Sequence, residues 1–112
     1  MTPRLTSAML VSALIRKVAS EGGNGMVLVR GDATAGAVLV LVTDRGKTAA
    51  FRERGLRPDG SSGWISTGPA DLDDDDALAS YLERRRKFDT DLWLIELDGL
   101  SVDSIDALLE TA

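Results

Sequence analysis

The sequence predicts an α+β fold: one domain over residues 1–112, a mostly antiparallel five-stranded sheet, and helices packed on that sheet. Three observations carry this reading. Ala37 to Thr43 and Leu92 to Leu97 are almost continuously apolar, as strands covered on both faces are. Asp44-Arg45-Gly46, directly after the first of them, is a hairpin signal. Helical periodicity appears on both sides of these strands, which gives the order α-β-β-β-β-α-β-α.

The elements follow in order. Leu10, Val11, Leu14, Ile15 and Val18 recur at helical spacing before Gly22-Gly23, so residues 5–21 read as an amphipathic helix. Met26 to Arg30 reads as a short strand, and Gly31 to Gly36 as a turn-rich connection. After the Ala37 strand, Gly46 supplies the positive φ of a tight turn, and Thr48 to Arg54 returns. Gly55, Pro58, Gly60 and Gly63 mark a loop before a short strand at Trp64-Ile65-Ser66. Asp71 and Asp73 to Asp76 precede a helix over Ala77 to Phe88 that ends in Arg84, Arg85, Arg86 and Lys87. Acid at the start and base at the end suit the helix dipole. Leu92 to Leu97 is the fifth strand, and Ser101 caps a last helix carrying Val102, Ile105, Leu108 and Leu109. The first two helices are expected on one sheet face. The last helix or a second copy of the protein is expected to cover the other.

Composition narrows the chemistry. The chain has no Cys and no His, so thiolate nucleophiles, disulfides and the commonest general base and metal ligand are all missing. No apolar run approaches the roughly 18 residues of a membrane span. The N-terminal helix is broken by Ser12, Arg16 and Lys17 and does not read as a secretion signal. A soluble cytoplasmic protein is the expected setting. The net charge of −5 is unevenly spread, with +5 on residues 1–57 and −10 on residues 58–112. Halves that attract each other in the folded domain account for this most simply. The acidic pI, near 4.6, argues against nucleic-acid binding.

Several motifs carry a possible chemistry. Gly31 and Gly36 have the spacing of half a phosphate loop, but Ala37 and Val38 stand where Lys and Ser/Thr are needed. Two readings stay open: backbone amides holding an anion beside Arg30, or a hairpin in which Asp32 or Thr34 bonds the local backbone or Asp32 pairs with a nearby Arg. Asp73 to Asp76 fails as a calcium loop, because the sixth and twelfth positions are Leu78 and Arg84 rather than Gly and Glu. Arg85 falls within the helical stripe of Leu78, Tyr81, Leu82 and Phe88, so it must pair with a carboxylate, snorkel or reach a ligand. Asp89, Asp91 and Glu96 are its candidate partners. Trp93 alternates within a buried strand, whereas Trp64 beside a Gly-rich loop is the better candidate for a binding aromatic. No nucleophile with an activating base emerges, so no catalytic residue, metal or cofactor is assigned.

Three stretches, Arg30 to Val40, Arg57-Pro58-Asp59-Gly60 with Trp64, and Tyr81 to Trp93, resemble a family of short alphaproteobacterial proteins known only as a domain of unknown function. The resemblance covers roughly residues 4–98, with Arg85 and Thr90 standing where the family usually has Gln and Pro. It implies a small bacterial protein of about 110 residues with no assigned activity. The expected function is therefore a non-catalytic interaction or regulatory module, as a homodimer or with another protein. The alternative is a binding domain or minor enzyme for an anionic small molecule; nucleic acid is the weakest option. Arg30, Asp32, Arg54, Trp64, Arg84 and Arg85 form the candidate anion or partner site.

Overall fold

A computed structural model describes residues 5–112. The elements are α1 (Ser7–Ser20), β1 (Asn24–Val29), β2 (Val38–Asp44), β3 (Lys47–Leu56), β4 (Ser62–Thr67), α2 (Asp75–Phe88), β5 (Trp93–Asp98) and α3 (Val102–Glu110). Their order is the one the sequence predicts. Each helix starts on a side-chain cap that accepts a backbone N–H: Thr6 from Met9, Asp74 from Ala77 and Ser101 from Ser104. The acidic run before α2 thus supplies its cap and its first turn. Arg45 and Gly46 both take positive φ, 53° and 80°, which gives the β2–β3 hairpin a turn matched to strand twist.

The strands lie in the order β1-β5-β2-β3-β4. Three pairings are antiparallel, and the central one, β2 with β5, is parallel. The sheet is therefore mixed. The reason is visible in the two apolar segments: both are covered on both faces, so they become neighbours at the centre. β2 is buried from Val38 through Thr43, and β5 from Trp93 through Ile95 and again at Leu97.

Alternation along these strands sorts the core into two layers. Val38, Val40, Val42, Trp93, Ile95 and Leu97 point towards α1 and α3 and join Leu10, Leu14, Val18, Ile105 and Leu109. Leu39, Leu41, Phe51, Leu92 and Leu94 point the other way, where Leu78, Tyr81 and Leu82 of α2 pack on them. The expected grouping of the first two helices is thus corrected. α1 and α3 share one face and α2 covers the other. The short α3 buries Ile105, Leu108 and Leu109 of its apolar stripe in the core shared with α1 and the sheet, whereas α2 is a largely polar helix with no buried residue. Phe88, expected to belong to the buried stripe of α2, instead lies 85 % exposed.

Candidate functional site

The Gly31–Gly36 loop is built by packing. Asp32 accepts the amides of Thr34 (3.1 Å) and Ala35 (2.9 Å) through its own Oδ2, so its carboxylate already fills the place an anion would take. Its backbone carbonyl accepts the Trp93 indole N–H at 2.7 Å, and its amide donates to the Asp91 carbonyl. Side chains at Gly31 or Gly36 would run into that same Asp91 carbonyl, which is why both positions are glycine. The loop then caps α1: the carbonyls of Thr34 and Ala33 accept the amides of Ser7 and Ala8. Of the two readings of this loop, local backbone bonding by Asp32 is the one observed. Arg30 stacks over Trp93, with Cζ 5.5 Å from the ring centroid, and Trp93 itself is only 3 % exposed.

Arg85 is clasped. Its Nη1 and Nη2 donate to the two carboxylate oxygens of Glu53 at 2.6 and 2.8 Å, and Nη1 also donates to the Tyr81 hydroxyl at 2.9 Å. The Glu53 hydrogen bond raises the basicity of the guanidinium above arginine's ordinary value. The carboxylate expected from Asp89, Asp91 or Glu96 therefore comes from β3 instead. Glu53 pairs with Leu39 across the β2–β3 ladder, which turns it towards α2. Arg84, one residue earlier on the helix, is exposed and away from this clasp.

Arg54 and Trp64 do come together. They sit directly opposite each other in the β3–β4 ladder, and the Arg54 Cζ lies 5.6 Å from the indole centroid. Trp64 is half-buried and packed against the α1/α3 core, and its enclosed Nε1 meets no acceptor among the described residues. Arg54 is exposed and makes no salt bridge among the described residues, whereas Arg52 is matched to Asp106 (2.8 Å) and Arg57 to Glu110 (2.8 Å). Arg54 also lines two adjoining grooves. One, of about 380 Å³, runs past Thr6, Ser7 and Leu10 of α1 and the Thr34 to Ala37 segment. The other, of about 470 Å³, lies between Trp64, Leu56 and the end of α3 at Leu109 and Glu110.

The six sequence-predicted residues thus fall in separate places. Arg54 and Trp64 come together on one surface, and Arg30 and Asp32 belong to the Trp93 loop. Arg85 is a structural clasp, and Arg84 faces outwards. Glu53 and Tyr81 were missed as the partners of Arg85. The Arg54–Trp64 pairing had a signal, since both residues flank one hairpin loop, but strand register was needed to use it.

These features define a class: a three-helix, mixed-sheet α+β protein with a stacked arginine–tryptophan pair at its surface. Among the described residues no helix is long and apolar enough to cross a membrane. The chain belongs to the family described as protein of unknown function (DUF1491), whose model matches residues 5–105. It is similar to a DUF1491 family protein from Caulobacter crescentus CB15, solved by crystallography, with 34 % identity over 86 % of this chain and 89 % of that one, and TM-score 0.72. A solution structure of protein Atu0922 from A. tumefaciens is similar over 96 % of both chains, at 29 % identity and TM-score 0.69. No curated protein matches.

Proposed function

We propose that this protein is a non-catalytic interaction module that holds a protein partner at the Arg54–Trp64 surface. The observation that carries the reading is Arg54: a cation with no carboxylate partner among the described residues, stacked on an indole, where two grooves meet. Arginine and tryptophan are the residue types that most often dominate protein interfaces, because each joins a large contact area to a directed donor. The cytoplasm is the proposed compartment, in keeping with a chain that carries no Cys. A second reading, an anionic small molecule at the same place, is favoured by one feature. The exposed guanidinium, held over the indole, offers several N–H donors to one acceptor group.

The test is a photo-crosslinking side chain at Leu56, which is 74 % exposed beside the second groove, in cells of the source bacterium. The expected result is a discrete protein adduct that disappears in Arg54→Ala and weakens in Trp64→Phe, with melting temperatures close to wild type. A lack of any protein adduct, together with a small added mass on the native protein that is lost in Arg54→Ala, would replace the partner by a small anion. Adducts unchanged by both substitutions would remove the site.

A further inference from the structure

The geometry points to a twofold dimer formed edge to edge through β1. This strand is one border of the sheet and, among the described residues, pairs only with β5. Natural sheets guard such borders with charge, proline or a covering element, because the unpaired backbone groups are a template for another strand. Here Asn24–Val29 carries neither a charge nor a proline. Met26, Val27 and Leu28 are 57, 40 and 42 % exposed, and a bulge leaves Leu28 without a partner on β5. The opposite border, β4, reads Ser-Gly-Trp-Ile-Ser-Thr and is likewise without charge or proline, but its large apolar residues, Trp64 and Ile65, are half-buried rather than exposed.

Charge selects a second copy as the occupant and sets its direction. The start of β1 is acidic: Asn24 and Met26 sit beside Asp98 and Glu96, and the exposed Glu21 precedes them. Its far end is mixed in charge, with Arg30 adding a cation to a groove whose own charges balance. Arg30 follows Val29, and Val29 borders a groove of about 520 Å³ with Arg86 and Lys87, against Glu83 and Asp89. An antiparallel twofold pairing sets Arg30 of each copy against the other's acidic end, whereas a parallel one opposes the two acidic ends. With the axis near Val27 it sets Val27 on its own copy and Met26 opposite the partner's Leu28, and yields one continuous ten-stranded sheet. The Arg54–Trp64 sites, on the far side of each sheet, stay free in both copies and so become a bivalent pair. The dimer does not rest on the proposed function, and its test reads a different quantity.

The experiment is sedimentation equilibrium of the full chain across micromolar concentrations. The expected species has twice the 11.9 kDa chain mass. Val27→Lys should weaken the dimer at least tenfold while leaving the circular dichroism spectrum and melting temperature near wild type. Because the chain contains no Cys, single substitutions Met26→Cys, Val27→Cys and Leu28→Cys each supply one thiol. Mild oxidation should crosslink the residue nearest the twofold axis most efficiently. This second measurement decides the matter if Val27→Lys does not fold. A wild-type monomer at every concentration would overturn the proposal. So would a dimer that survives Val27→Lys, or one in which none of the three thiols crosslinks.

Discussion

On one face of the sheet, α1 and α3 bury Leu14, Val18, Ile105 and Leu109 to 1 % exposure or less, whereas α2 on the other face buries no residue at all. The first face is held by aliphatic area, a non-directional term that is spread over many side chains. The second has some of this, from half-buried Leu78 and Leu82, but its directed contacts are few. Tyr81 meets Phe51 edge-on, with centroids 5.2 Å apart at 63°, and Arg85 grips Glu53. A helix fixed by a small number of specific contacts can open locally while the rest of the molecule stays folded. α2 should therefore be the mobile cover and the α1/α3 layer the permanent one.

The sharpest way to break this contrast is a deletion in the permanent layer. Leu14→Ala empties a site with no exposure, and it should cost about 3 kcal/mol, within the usual range for a truncated core leucine. Denaturant unfolding should show that loss in a single transition, and hydrogen exchange should speed up throughout the molecule. A loss confined to α1 amides would mean that this layer, too, opens locally.

A smaller effect is expected from the clasp. The Arg85 and Glu53 side chains keep 26 and 17 % of their exposure, so solvent screens the pair only in part. Arg85→Met leaves the Glu53 carboxylate under α2 without its partner, and should lower stability by about 1–2 kcal/mol. Replacing both residues, Arg85→Met with Glu53→Met, should recover most of this, because no uncompensated charge then remains. Native-state hydrogen exchange should locate the single variant's loss in the α2 amides. Equal loss in the single and double variants would show that the clasp holds α2 by its own attraction.

What the sequence could and could not disclose follows the same division. β2 and β5 were legible because a doubly covered strand needs apolar residues at successive positions, a strong local signal. Ser101, the acidic start of α2 and Gly46 were legible because caps and tight turns depend on chemistry within a few residues. The face chosen by each helix was not, since a stripe shows that a helix packs but not on which side its crossover passes. Glu53 was hidden for a related reason. It lies 32 residues from Arg85, and only the β2–β3 register turns it towards α2. At the site, Trp64 and Arg54 were chosen as residue types, and the ladder that opposes them completed the choice. Asp32 and the two loop glycines gave an ambiguous pattern, because a nest filled by its own carboxylate and one open to an anion need similar sequences.

The smallest expected effect probes the part of the α2 face that α2 leaves uncovered. Asp98 shares that face with Leu94 by strand alternation, but lies outside the cluster under α2. Its carboxylate accepts the Thr43 hydroxyl at 2.7 Å and the Gly46 amide at 3.1 Å, fastening the end of β5 to the β2–β3 hairpin. The Thr43 hydrogen bond, followed by the Gly46 amide, holds its pKa below the ordinary aspartate value of 3.8. A depressed folded-state pKa adds stability above the unfolded value, and that stability disappears as pH falls through the lower folded one. Melting temperatures of wild type and Asp98→Asn should therefore differ modestly near neutrality and converge as the pH drops below 3.8. A gap that persists in acid would show that the neutral side chain at this position fastens the hairpin as well as the carboxylate does. Asp98 also borders the acidic start of β1, so the same titration should loosen the edge-to-edge dimer at low pH.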